Sequence, residues 1–188
     1  MFAYDRDTSR RGLLTAGLGF AAAATLLPKS LLAAPMGAPE RAISLLNLHT
    51  GESVRTVYWA DGTYQPEGLA SINKVLRDFR TGDVHPIDPQ LMDLANEVRR
   101  LTGATNKPLH IISGYRSPKT NGMLHNASAR SGVATRSLHM DGKALDIRIP
   151  GVDLSYLHKA AVSLKEGGVG YYPKSDFVHV DTGRVRYW

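Results

Sequence analysis

With 188 residues, 43% of them apolar and 21% charged, the chain has the composition of one globular domain with appendages, which excludes the disordered and fibrous classes. It contains no cysteine, so a disulfide framework, an iron–sulfur cluster and a thiol nucleophile are excluded, and any zinc site must use histidine and carboxylate ligands. The formal charge of +6 comes without a Lys/Arg run or an RNA-binding aromatic motif, so nucleic acid is not an expected partner.

The first 34 residues read as a targeting segment. Ser9-Arg10-Arg11-Gly12 precedes an apolar, Gly/Ala-rich run over 13–27, then Pro28-Lys29-Ser30 and the small residues Ala33-Ala34. Paired arginines before a mildly hydrophobic core resemble a twin-arginine export signal, in which the pair is read by the export machinery. The 15 residues of the run fall short of the roughly 20 that a membrane span needs. A buried N-terminal helix would account for the run but not for the arginine pair. The expectation is an exported, periplasmic protein cut near Ala34, with a linker over 35–41 and one domain over 42–188. Four cations and two carboxylates leave with the leader, taking the formal charge from +6 to +4, a balance that suits an anionic polymer such as the cell wall.

Two β-rich segments, 42–48 and 54–59, form a predicted hairpin with its turn at Thr50-Gly51; His49 is a turn residue, and Trp59 and Tyr64 pack under the sheet. A helix is predicted over 66–80, with Leu69, Ile72, Leu76 and Phe79 on its buried stripe and Asn73, Lys74, Arg77 and Asp78 opposite. Asp88-Pro89 reads as an N-cap followed by proline at the first helical position. It opens a second helix to about Leu101 that buries Leu91, Leu94, Ala95, Val98 and Leu101 and stops at Gly103.

Segment 107–113 is a strand with Leu109, Ile111 and Ile112 available to the core, and it runs into Ser113-Gly114-Tyr115-Arg116-Ser117-Pro118. The corner delivers Arg116 at the mouth of the sheet, where its guanidinium can face a carboxylate or a polarised carbonyl; the plainer role is to tie the loop down. Ser117-Pro118 opens another helix, on which Asn121 and His125 share a face. Residues 126–136 are small and polar, a lead-in that borders a substrate groove.

His139 and Asp146 follow, with Gly142 between them. The alternation over 144–149 places Leu145, Ile147 and Ile149 on one face and Ala144, Asp146 and Arg148 on the other. After a helix over 153–166, ended by Gly167-Gly168, the strand Phe177–Asp181 alternates the same way, with Phe177, His179 and Asp181 opposite Val178 and Val180. If the two strands pair, Asp146 and His179 face one cleft. With His139 they offer three ligands and one open position, the layout of a catalytic zinc site. Asp176, three residues before His179, is placed to act as a general base. The plain alternative is a surface turn entering an ordinary strand.

Ser137-x-His139-x-x-Gly142-x-Ala144-x-Asp146, the upstream Ser-Gly-Tyr-Arg-Ser and the late Asp176-x-x-His179 together resemble the D-Ala-D-Ala metallopeptidase family, within the lysostaphin, D-Ala-D-Ala metallopeptidase and hedgehog superfamily. The Gly-Val-Gly-Tyr-Tyr-Pro and Phe-Val-His-Val-Asp-Thr-Gly tail is most similar to the murein endopeptidase K (YcbK-like) branch, and the likeness spans residues 40–188. The resemblance implies an α+β fold with a central antiparallel sheet flanked by helices, and one zinc ion per chain on His139, Asp146 and His179. It implies that Arg116 contacts substrate and supports the oxyanion, that Ser137 lies near the bound peptide, and that Asp176 is the base. Asp181 is the candidate to orient His179. Asn121 joins Arg116 and Ser137 in the expected substrate-binding set. The implied activity is hydrolysis of peptide cross-links between peptidoglycan stem peptides by a monomeric enzyme. A D,D- or L,D-carboxypeptidase or dipeptidase that trims stem ends is the alternative within the family. A non-catalytic wall-binding module is the alternative of another class.

Overall fold

The computed structural model describes residues 40–127 and 133–188. The expected leader, the expected linker up to residue 39 and residues 128–132 of the polar lead-in lie outside the described residues.

The chain forms β1 (Arg41–Asn47), β2 (Ser53–Ala60), β3 (Thr63–Tyr64), α1 (Pro66–Val75), α2 (Pro89–Leu101), β4 (Leu109–Ser113) and α3 (Pro118–Asn126). After a short 3-10 turn at Leu138–Asp141 come β5 (Ala144–Arg148), α4 (Leu154–Leu164), β6 (Gly168–Tyr172), β7 (Phe177–Asp181) and β8 (Arg186–Tyr187). One mixed sheet runs β3-β2-β1-β4-β5-β7-β6-β8. Of its neighbouring pairs, β1–β4 and β6–β8 are parallel and the rest antiparallel. The fold is α+β. Among the described residues no helix is long and apolar enough to cross a membrane.

Helices α2, α3 and α4 start on side-chain caps. Asp88 accepts from the Gln90 amide ahead of Pro89, and Ser117 accepts from the Thr120 amide ahead of Pro118, so both prolines occupy positions with no intrahelical amide to lose. Asp153 caps α4 through the Ser155 and Tyr156 amides. Helix α1 packs on β1 and β2, α2 on β1 and α4, and α4 on β6 and β7. Ile72 and Leu76, Leu91 and Val98, and Leu157 from these segments meet Leu45, Ile111, Leu145, Ile147, Val178 and Val180 of the sheet in one core. Each such buried side chain contributes about 1.5–3 kcal/mol. Because Leu145 and Ile147 enter this core, pleating sends Asp146 to the opposite face.

Three expectations change. Helix α1 ends at Val75 rather than running to residue 80. The Asn47 side-chain Nδ2 donates to the Val75 carbonyl, and the chain then turns Asp78 inward, to 2% exposure, although its sequence position placed it on the polar face. There it accepts hydrogen bonds from the Ser117 amide (2.9 Å), the Ser117 hydroxyl (2.7 Å) and the Arg80 amide (2.9 Å). Helix α4 ends at Leu164, with Lys165 in the left-handed region, so Gly167-Gly168 do not terminate it. They are needed for close approach instead: a Cβ on Gly167 would lie 1.7 Å from the Asp181 carbonyl oxygen. Finally, β6 and β8 have no counterpart in the sequence reading: glycine at every other residue of Gly168-Val-Gly170 hides the alternation of β6, and β8 is only two residues long.

Asp78 carries a pH prediction. Burial pushes its carboxyl up, but hydrogen bonds from Thr120, Ser117 and the Arg80 amide outweigh burial and hold it at about 2. The folded value lies below the unfolded one, so the stabilisation is complete above about pH 4 and is lost as pH falls toward 2, a contribution of about 2 kcal/mol. Urea unfolding from pH 6 to pH 3 should show wild type losing more stability than Asp78→Asn. Parallel profiles would refute it.

Candidate metal centre

Strands β5 and β7 pair antiparallel with Asp146 directly opposite His179. Val178 and Val180 are buried on the core side, so both polar side chains emerge together on the other face. His139 arrives from the 3-10 turn. The Ser137 hydroxyl accepts from the His139 amide at 3.4 Å, and the turn closes on Gly142 at φ +65°. Only glycine suits that position, because a Cβ there would sit 2.3 Å from the Pro86 carbonyl oxygen. The Arg116 amide donates to the His139 carbonyl, tying the Ser-Gly-Tyr-Arg-Ser corner to the same turn.

Three donor atoms converge. His139 Nε2 lies 3.3 Å from Asp146 Oδ1 and 3.3 Å from His179 Nδ1, and His179 Nδ1 lies 2.9 Å from Asp146 Oδ1. Tetrahedral ligands at zinc distances of 2.0–2.1 Å are separated by about 3.3 Å, so the spacing fits that ion. The remaining ring nitrogens have acceptor partners: His139 Nδ1 faces the Gly114 carbonyl at 2.7 Å, and His179 Nε2 faces Asp181 Oδ2 at 3.0 Å. Each of those nitrogens therefore carries the hydrogen, which turns the lone pairs of His139 Nε2 and His179 Nδ1 toward Asp146. Two such lone pairs 3.3 Å apart beside a carboxylate form a donor set that suits a divalent cation.

The electrostatics follow from burial and pairing. Burial pushes Asp146 up, but His139 and His179 outweigh it and hold the carboxyl well below the usual range. Burial pulls His179 down, but Asp146 and Asp181 outweigh it and raise it, so a proton competes with a cation for Nδ1. Asp181 is fully buried. It accepts from the Gly168 and Gly183 amides (3.0 and 2.8 Å) and from Arg186 through Nη1 and Nη2 (3.1 and 2.7 Å).

Of the other residues singled out in the sequence, Arg116 and Ser137 line the same cleft as the three donors. Arg116 is 9% exposed, with Nη2 3.6 Å from Asp146 Oδ2 and 3.3 Å from the Ser113 hydroxyl. Burial lowers its pKa, and Asp146 acts against that. Asn121 does not line the cleft. It is buried, its Oδ1 accepts from Arg116 Nη1 at 3.5 Å, and its amide donates to the Ala134 and Thr135 carbonyls. Asn121 thus holds Arg116 and the segment leading to Ser137. Asp176 does not line the cleft either. It stands on the β6–β7 turn at φ +53°, with its exposed carboxylate ion-paired to Arg148.

The cleft is completed by residues that the sequence reading did not select: Arg136, Leu138, Tyr172, Phe177, Arg186 and Trp188. The Trp188 indole donates to the Tyr172 hydroxyl at 2.7 Å, and its ring lies 5.3 Å from that of His179. A usable signal was the Asp181-Thr-Gly-Arg-Val-Arg186 turn, which places a carboxylate and an arginine five residues apart around a tight bend.

A family model described as Peptidoglycan L,D-endopeptidase MepK matches residues 36–188. The chain is 44% identical over 182 residues to the Peptidoglycan L,D-endopeptidase MepK of Escherichia coli (strain K12), covering 97% of this chain and 98% of that protein. The protein of the same name from Shigella flexneri matches at the same identity and coverage. The Probable peptidoglycan L,D-endopeptidase MepK of Haemophilus influenzae is 40% identical over 182 residues, covering 97% of this chain and 96% of that protein. No solved structure matches.

Proposed function

The chain belongs to the peptidoglycan L,D-endopeptidase MepK family, and from that premise we propose that it cuts cross-links between peptidoglycan stems at a bond from an L centre to a D centre, with one zinc ion on His139, Asp146 and His179. It is a peptidase, and peptidoglycan is its substrate class. The observation that carries the zinc reading is the convergence of three lone-pair donors at tetrahedral spacing, with both histidine tautomers set by Gly114 and Asp181. The three donors lie within one chain, so the proposed site needs no residue from a second copy.

A zinc ion held there supplies Lewis acidity, lowering the pKa of water from 15.7 toward about 7. The chain's own groups do the rest. Arg116, desolvated and steadied by Ser113 and Asn121, presents donors to the carbonyl oxygen as negative charge develops on it. Ser137 lies at the cleft wall to contact the peptide. Asp176 is our candidate to take the water proton and return it to the leaving amine; in the resting structure Arg148 holds its carboxylate, so this role requires that pair to open. The Arg10-Arg11 pair ahead of the apolar run supports export by the twin-arginine route to the periplasm, where the substrate lies.

Digestion of purified sacculi, read by mass spectrometry of the released muropeptides, tests the reading. L-to-D cross-linked dimers should fall to monomers, a chelator should stop the reaction and added zinc should restore it. Full activity after chelation would overturn the zinc assignment. Shortening of stem ends alone would favour the carboxypeptidase reading, and binding to sacculi without release would favour the wall-binding module.

A further inference from the structure

Three arginines line the cleft, and two of them are neutralised from within the fold. Arg116 faces Asp146 and Arg186 grips Asp181. The third, Arg136, is exposed and has no hydrogen-bond or ion-pair partner among the described residues. It immediately precedes Ser137, whose hydroxyl starts the turn that carries His139. Once the internal pairs cancel, Arg136 is the surplus charge that the protein itself contributes to the cleft, which calls for an anionic group on the ligand.

We propose that Arg136 determines specificity by binding the free carboxylate carried on the D centre next to the scissile nitrogen. This deepens the proposed L,D-endopeptidase reading and rests on it. In an L-to-D bond the amine belongs to a D-configured carbon that also bears a carboxyl group outside the bond being cut. That carboxyl lies one carbon from the nitrogen, close enough for a substrate bound at the three donors to bring it into the same cleft that Arg136 lines. A guanidinium offers a planar pair of donors that matches a carboxylate, whereas a neutral carboxamide provides one acceptor and no charge. Arg136 therefore sets which cross-links are cut, while Arg116 faces the carbonyl.

The experiment measures kcat/KM of the zinc-loaded enzyme on two cross-linked muropeptides that differ only in this carboxyl, free in one and a primary amide in the other. Wild type should prefer the acid by roughly tenfold to a hundredfold, the range for hydrogen bonds to a charged group, chiefly through KM. Arg136→Ala should bring the two substrates within about twofold, as the substrate–variant cycle requires when the interacting partner is gone. Arg136→Lys, which keeps the charge but loses the fork, should fall between them. Retention of the wild-type preference in Arg136→Ala overturns the proposal, as does a wild type that cuts both substrates equally; the endopeptidase reading survives either result. A wild type that cuts neither refutes that reading and the role of Arg136 with it.

Discussion

His139→Ala and Asp146→Ala are each expected to abolish release of muropeptides from sacculi, and they should differ in what they do to the fold. Each removes one of three donors that lie 2.9–3.3 Å apart. Retention of zinc should therefore fall by more than the roughly 10–100-fold that loss of an outer hydrogen-bond partner costs. His139→Ala removes a ring at the end of a turn still held by Ser137, Gly142 and the Arg116 amide, so the fold should survive. Asp146→Ala also leaves Arg116, 9% exposed, without its counter-charge. Breaking a buried pair from one side costs about 3–5 kcal/mol, which lowers the melting temperature of a domain this size by roughly 10 °C. Zinc content per chain, muropeptide release and thermal melting check the three parts. Unchanged digestion by either variant would sink the site.

Asp181→Ala should be nearly as damaging although Asp181 touches no substrate. Its carboxylate joins β7 to the Gly168 and Gly183 amides, fixes Arg186 through two bonds and orients His179 through Nε2. Loss of the His179 contact should weaken zinc by about 10–100-fold. The stranded amides and guanidinium should lower stability by about 3–5 kcal/mol. Asp181→Asn sharpens the test, because both carboxylate oxygens already accept hydrogens. Oδ1 takes the two amides and Arg186, and Oδ2 takes Arg186 and His179, so an NH2 in either place meets donors. The asparagine variant should therefore lose zinc affinity too, despite its matching shape. Near-wild-type affinity in Asp181→Asn, measured by competition with a chromogenic chelator, would mean that something else sets the His179 tautomer.

The sequence by itself determined which face β5 and β7 show and where most helices begin. Period-two alternation is a property of the extended backbone, so Leu145 and Ile147 in the core oblige Asp146 to leave it, and Val178 and Val180 do the same for His179. Cap-then-proline chemistry acts within four residues, so Asp88-Pro89 and Ser117-Pro118 marked α2 and α3 where the structure has them. Tertiary structure alone decided the long-range partners of the charged groups. Asp78 lies on the polar side of the helix predicted over 66–80, and only packing against the Ser117 corner, 39 residues later, turns it inward. Asp176 stands at the expected distance in sequence from His179, yet Arg148 on the neighbouring strand holds its carboxylate. Arg116, Arg136 and Arg186 meet in one cleft; Asp146 on β5 faces the first, Asp181 five residues upstream grips Arg186, and Arg136 has no ion-pair partner among the described residues. Backbone periodicity and capping are local and can be read in chain order. Pairings such as Asp78 with Ser117 and Asp146 with Arg116 join residues far apart in the chain, and those distances exist only once the sheet has brought its strands together.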